Sequence, residues 1–393
     1  MIKKLYLLFS HYINANIAFV WYLLFKLKVK KSKKIWLIGG INAELYTDNS
    51  KVFYEYLLEK HPEIECFWIA REGSPAHKMA KGNILFKGSI ESYFYYYRSE
   101  VVVFSDTHNS DIAPSIFVMP FLRAFSKKVF QVRLNHGTIA FKKMPVSFSY
   151  LQKIRDKILL EIDLNTASTE LEVKVMNTYM KKNSVVLTGS ARNDSIVNIE
   201  PEQKFIFIAP TWRSWLYGKS DITESEFYNQ YVNLLSNKLF LDYLKRNNLV
   251  VELFLHHFML PHLEAFKYLD NDVVNILSPD VNLSSKILGA SLMITDYSSI
   301  CTERYYLKKP VIFFQFDQEQ YESEMGSYID LKNDTFGDVS TNIQELVKKI
   351  IFSIENEFPI SPLQIEGEKY FVHFTDKHNC DRIFTEITKR LEY

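Results

Sequence analysis

Cysteine is scarce in this chain. Cys66, Cys301 and Cys380 are the only three, far apart and in no metal-binding spacing. That argues against a disulfide framework and a thiolate zinc site, and it fits the reduced thiols of a cytosolic protein. An excess of charge is missing too: 47 Lys and Arg stand against 46 Asp and Glu, a net charge of +1, which removes the global signature of a nucleic-acid binder. No stretch is rich in Pro, Gly or Ser or low in complexity, and no internal repeat is visible, so disordered arms and solenoids are set aside. The sequence has no HExxH, no GxxxxGK[ST] and no DxD pair flanking a strand end. No cofactor is therefore predicted from a motif, and a metal requirement is left open.

A long unbroken apolar run is the last absence. Leu5–Leu27 is interrupted by Ser10, His11, Asn14 and Asn16, whereas a membrane-spanning helix needs roughly 20 apolar residues. A signal peptide would put its positive region first and end in small residues, which this segment does not. Trp21, Tyr22 and Phe25, followed by Lys26, Lys28, Lys30, Lys31, Lys33 and Lys34, suit an amphipathic helix in the membrane interface, with its lysines near anionic lipid. The competing reading is a helix packed on the protein's own surface.

What the chain does have is a repeated alternation of short apolar strands and helical patterns. Its 393 residues exceed one ordinary core, which favours two domains. Strands are predicted at Ile35–Gly39, Glu65–Ala70, Val101–Ser105, Val129–Leu134, Asp163–Thr166 and Ser184–Thr188. A second run follows at Phe205–Ala209, Val250–Leu255, Val273–Ile276, Leu292–Thr295 and Val311–Phe316. The expected class is α/β, with two Rossmann-like, doubly wound domains facing across a cleft. The boundaries are 1–34 for the membrane-associating helix and basic stretch, 35–195 for the first domain and 196–393 for the second.

Candidate chemistry sits where strands end. Leu292–Asp317 reads as strand, turn, helix and strand, a parallel βαβ unit. Its turn, Asp296-Tyr297-Ser298-Ser299, offers helix-start N–H groups and two hydroxyls to a phosphate or diphosphate, or else simply caps the helix. His136-Gly137-Thr138 supplies a histidine suited to general-base work and a glycine that lets backbone approach a ligand. Thr188-Gly189-Ser190-Ala191-Arg192 could clamp phosphate with hydroxyls and a guanidinium. Thr211-Trp212-Arg213 could stack on or neutralise a nucleotide. His256-His257 closes a strand, and neighbours on a strand face opposite sides, so one of the two is expected to point into the cleft. Asp106-Thr107-His108 with Asp111 forms a polar cluster of no recognisable metal pattern.

In order, these pieces resemble the CDP-glycerol glycerophosphotransferase family, whose members prime and polymerise teichoic acids and related capsules. The similarity spans roughly residues 35 to 385. It rests on Asp48-Asn49-Ser50-Lys51 with Tyr56, Gln131 with His136-Gly137-Thr138 and Lys142-Lys143, and Thr188-Gly189 with Arg192 and Asp194. It continues through Ala209-Pro210-Thr211-Trp212-Arg213, His256, Thr295-Asp296-Tyr297-Ser298-Ser299, Lys309-Pro310 with Asp317 and Tyr321, and Asp376 with Arg382. The chain departs from the family pattern at Asn135 (usually Trp), Ile139 (often Pro), Ala191 (usually Pro) and Glu303 (commonly Asp).

The resemblance implies a GT-B-like fold with the nucleotide held mainly by the C-terminal half. It implies transfer of glycerol phosphate or ribitol phosphate from a CDP-polyol to a lipid-linked or polysaccharide acceptor, with release of CMP. His136 and His256 would be the catalytic residues. Thr211, Arg213, His257, Asp296, Ser298, Ser299 and Glu303 would bind the donor, and Gly137, Thr138, Gly189 and Arg192 are candidate phosphate-binding positions. Placement at the cytoplasmic face of the cell membrane, as a peripheral protein, follows from the same resemblance. A sugar-nucleotide glycosyltransferase of GT-B type, or a non-catalytic scaffold of a capsule-assembly complex, are the alternatives.

Overall fold

The computed structural model describes residues 2–28, 34–113, 129–143, 162–366 and 368–391. Lys30, Lys31 and Lys33 of the basic stretch lie outside the described residues. The chain divides into two compact units. The first comprises 1–136, 146–195 and 374–393; the second comprises 137–145 and 196–373.

The first unit is built on a sheet of seven parallel strands: β1 (Lys34–Gly39), β2 (Ile64–Ala70), β3 (Asn83–Phe86), β4 (Val101–Phe104), β5 (Phe130–Arg133), β6 (Leu164–Ala167) and β7 (Val185–Leu187). Their order is β3-β2-β1-β4-β5-β6-β7. The second unit holds six more: β8 (Phe205–Ile208), β9 (Val250–Leu253), β10 (Val274–Ile276), β11 (Leu292–Thr295), β12 (Val311–Phe314) and β13 (Asp338–Ser340), ordered β10-β9-β8-β11-β12-β13 and also parallel. Central strands such as Val-Val-Val-Phe, Phe-Ile-Phe-Ile and Val-Ile-Phe-Phe are buried at every position, because helices cover both faces of a doubly wound sheet. In both sheets the winding reverses after the third strand. Crevices at the strands' carboxyl ends are therefore expected beside β1/β4 and β8/β11. The edge strands β3 and β13 escape the sequence pattern: they are short, and both have exposed positions.

The helix Ile2–Lys28 lies on the first unit. Ala15 and Ala18 are wholly buried, and their small side chains allow close approach. Tyr22 stacks on Tyr97, Phe25 meets Phe94 edge-on, and the Arg98 guanidinium sits 4.2 Å from the centroid of Phe25. The Asn14 amide donates to Gly88 O at 3.0 Å, so a residue that breaks the apolar run is used in docking. The opposite face leaves Phe9, Ile13, Val20, Trp21 and Leu24 exposed. Among the described residues no helix is long and apolar enough to cross a membrane.

The last helix, Asn379–Leu391, belongs to the first unit and not to a second domain running from 196 to 393. Asp194 holds its start, accepting N–H groups from Asn379 and Cys380 at 3.0 and 2.7 Å. The three cysteines are free thiols, all buried.

Candidate functional site

In the first unit the carboxyl ends of β5 and β7 carry His136 and Arg192, and the helix Asp48–Lys60 begins beside them. Asp48 Oδ2 lies 3.6 Å from His136 Nδ1, within ion-pair range, and its Oδ1 lies 3.3 Å from Arg192 Nη1. Burial pushes the Asp48 carboxyl up, but Arg192 and His136 outweigh it and hold the group below its ordinary pKa. His136 is raised above 6.5, chiefly by Asp48, while 61% of its side chain stays exposed.

The His136 loop is fixed from two sides. Asn49 donates to Asn135 O at 3.0 Å, and its own side-chain oxygen accepts the Arg192 N–H at 2.9 Å. Asn135 has a φ of 55° and donates to Thr166 O at 2.6 Å. Asn tolerates left-handed backbone and forms this bond, which gives its departure from the family pattern a local function.

The other first-unit candidates are not ligand cradles in this arrangement. Gly189, at φ 79°, faces Asn379 so closely that an added Cβ would lie 1.9 Å from Asn379 Oδ1. The loop is filled by the last helix, not open to a phosphate, and Arg192 is engaged by Asp48. Asp111, fully buried, accepts N–H groups from Asn42, Ser105 and Asp106 and so closes the loop after β4. Burial raises its carboxyl to about 6.

In the second unit the ends of β8 and β11 meet through Arg213. The side chain has no exposed surface; it pairs with Asp296 at 2.8 Å and with Asp317 at 2.6 and 3.0 Å, and donates to Thr211 O at 2.6 Å. Asp296 is equally buried and accepts the Thr211 and Tyr297 N–H groups at 2.8 and 2.6 Å. Arg213 and Asp296 therefore fail as direct donor ligands. Burial works against the Arg213 charge, but the two carboxylates more than restore it. The pair instead shapes the loops that carry Thr211 and Ser298.

Ser298 and Ser299 are partly buried, and Ser298 forms no side-chain cap, so the capping reading fails for its hydroxyl. The helix behind them is only Thr302–Tyr306, preceded by a 3₁₀ turn, which weakens the expected helix-start contribution. Gly137 lies against this turn: an added Cβ would sit 3.2 Å from Ser299 Oγ. Thr138 is buried and Glu303 half-buried. The Thr211 hydroxyl is buried with no partner among the described residues.

His256 is half-buried beside Trp212, and its Nδ1 accepts the Phe258 N–H at 3.3 Å. That bond leaves the proton of the neutral ring on Nε2. Burial, then the His257 and Lys142 charges, push its pKa down to about 4, so the free protein carries it neutral at neutral pH. His257 is exposed, which identifies His256 as the anchored member of the pair. Lys142, quoted from sequence without a role, lies 4.8 Å from the Trp212 ring centroid. Among the described residues no group of three or more His, Cys, Asp or Glu could hold a metal ion.

A family model for CDP-glycerol:poly(glycerophosphate) glycerophosphotransferase matches residues 20–389. The chain belongs to that glycerophosphotransferase family. It is 23% identical over 376 residues to the teichoic acid glycerol-phosphate transferase of Staphylococcus aureus (strain NCTC 8325 / PS 47), covering 86% of this chain and 89% of that protein. It is 26% identical over 375 residues to the minor teichoic acid biosynthesis protein GgaB of Bacillus subtilis (strain 168), covering 90% of this chain. The match spans 40% of GgaB's length. The wall teichoic acid polymerase TagF shares the fold, with a TM-score of 0.72 at 18% identity over 100% of this chain and 98% of that one. The glycerophosphotransferase match takes in both histidine loops and the Ser298-Ser299 turn.

Proposed function

We propose that the protein transfers a polyol phosphate, glycerol phosphate or ribitol phosphate, from a CDP-activated donor to a hydroxyl of a lipid-linked or glycan acceptor, releasing CMP, in teichoic acid or capsule-type polymer synthesis. The family match over residues 20–389 carries this reading. Relatives named for glycerol-phosphate and for ribitol-phosphate transfer support both polyols.

In the proposed mechanism His136 Nε2 takes the proton of the acceptor hydroxyl as its oxygen attacks the β-phosphorus. The new O–P bond forms, the P–O bond to CMP breaks, and CMP leaves with the electron pair. Charge growing on the departing phosphate meets the His256 Nε2–H and the hydroxyls of Ser298 and Ser299, with His257, Thr211 and Glu303 proposed to bind the rest of the donor. Gly137, whose added Cβ would lie 3.2 Å from Ser299 Oγ, supports a part for the Gly137-Thr138 step. Arg213 and Asp296 act by holding these loops. The first unit is read as the acceptor domain and the second as the donor domain of a GT-B-like enzyme. The exposed apolar face of the first helix supports peripheral attachment at the cytoplasmic face of the membrane.

The test is donor screening with CDP-glycerol, CDP-ribitol and UDP-sugars on a synthetic lipid acceptor, with product masses measured. A mass gain of one or more polyol phosphates is expected. Gain of a sugar would favour the glycosyltransferase reading, and no binding of any CDP-polyol by calorimetry would favour the scaffold. His136→Ala should lower turnover by about 10²–10⁴-fold while CDP-polyol still binds; near-normal turnover would remove His136 as the base.

A further inference from the structure

We infer that Asp48 and His136 form a dyad in which the carboxylate holds the proton on Nδ1 and leaves Nε2 as the base. Asp48 is a positioning residue and takes no proton itself. This rests on the reading of His136 as the base and adds the group that makes it one.

Three observations carry it. Asp48 sits at φ 63° at the start of its helix, a conformation that costs energy for a residue other than glycine and clusters where geometry is functional. Its two oxygens have different partners: Oδ2 faces His136 Nδ1 at 3.6 Å, and Oδ1 faces Arg192 Nη1 at 3.3 Å. Asn49, the next residue, clamps both loops that bear those partners. The Asp48-Asn49 step therefore sets the distance from carboxylate to imidazole, and the 3.6 Å gap can tighten when substrate binds. Among the described residues, Asp48 and Asp106 favour a protonated His136 and Arg192 opposes it. Arg192 also favours the ionised form of Asp48.

The experiment compares wild type, Asp48→Asn, His136→Ala and the double variant, with CDP-glycerol as donor. Asn accepts a positive φ, so Asp48→Asn suits the site. Expected are a kcat for Asp48→Asn lowered about 10²-fold or more, an unchanged KM for CDP-glycerol, and an acidic limb of kcat/KM moved to lower pH. The double variant should be no worse than His136→Ala. If His136→Ala is inactive while Asp48→Asn keeps wild-type kcat and pH profile, the dyad is wrong and the base survives. If His136→Ala stays active, the base assignment itself falls and the dyad with it. A readout independent of variant folding is the ¹⁵N shift pattern of His136 in the unmodified protein above its pKa. Protonation at Nδ1 is expected, and protonation at Nε2 overturns the dyad.

Discussion

At the scale of single residues, the two histidines are tuned in opposite directions by their surroundings. Asp48 raises His136, and burial depresses His256 to about 4. For His256 the folded pKa lies below the ordinary 6.5, so the folded chain binds fewer protons than the unfolded one between those values. Its contribution to stability is intact above about 6.5 and is lost as pH falls toward 4. His256→Asn keeps an acceptor for the Phe258 N–H without titrating. On going from pH 7 to pH 4, chemical denaturation should show wild type losing about 2–3 kcal/mol relative to that variant; parallel pH curves would contradict the burial account. The strand-end positions of His136 and His256 were legible in sequence, because each follows an apolar strand. The burial of Arg213 was not, since a Thr-Trp-Arg string reads alike whether its guanidinium faces a ligand or Asp296 and Asp317. Asp48 was visible as part of a motif, but its role depends on a loop more than eighty positions later in the chain.

At the scale of elements, the first helix has a packed face and an exposed apolar one. Ala15 and Ala18 make the inner one, and Phe9, Ile13, Val20, Trp21 and Leu24 the outer. Ala18→Leu should destabilise the fold by about 1–3 kcal/mol through overpacking, with little direct effect on vesicle binding. Trp21→Glu with Leu24→Glu should leave the melting temperature nearly unchanged yet abolish sedimentation with anionic liposomes; retained sedimentation would refute the membrane reading. The sequence offered surface packing and membrane contact as rivals; the packed inner face meets the first, and the liposome measurement decides the second. The strands of the buried sheet interior were readable because two covered faces demand continuous apolar runs. The edge strands β3 and β13 were not, because both are short and partly exposed.

At the scale of the whole molecule, the last segment joins the first unit through Asp194, Asn379 and the left-handed Gly189. Gly189→Ala forces a Cβ into Asn379 in a backbone region that side chains avoid, so unfolding free energy should drop by about 1–3 kcal/mol. The KM for CDP-glycerol should stay near wild type, since Gly189 is filled by protein. A large KM rise with unchanged stability would return Gly189 to the phosphate-binding set. No local pattern announces such a return of the chain, because the contact joins segments separated by residues 196–373.

That return has a consequence for synthesis on the ribosome. Residues 374–391 emerge only after all of 196–373 has been made, yet they cover apolar surface around Trp36 and Tyr56 through Phe384. The nascent first unit therefore waits with that groove uncovered while its neighbour is translated. A ribosome stalled before Phe374 leaves a product whose earliest-made part is unfinished.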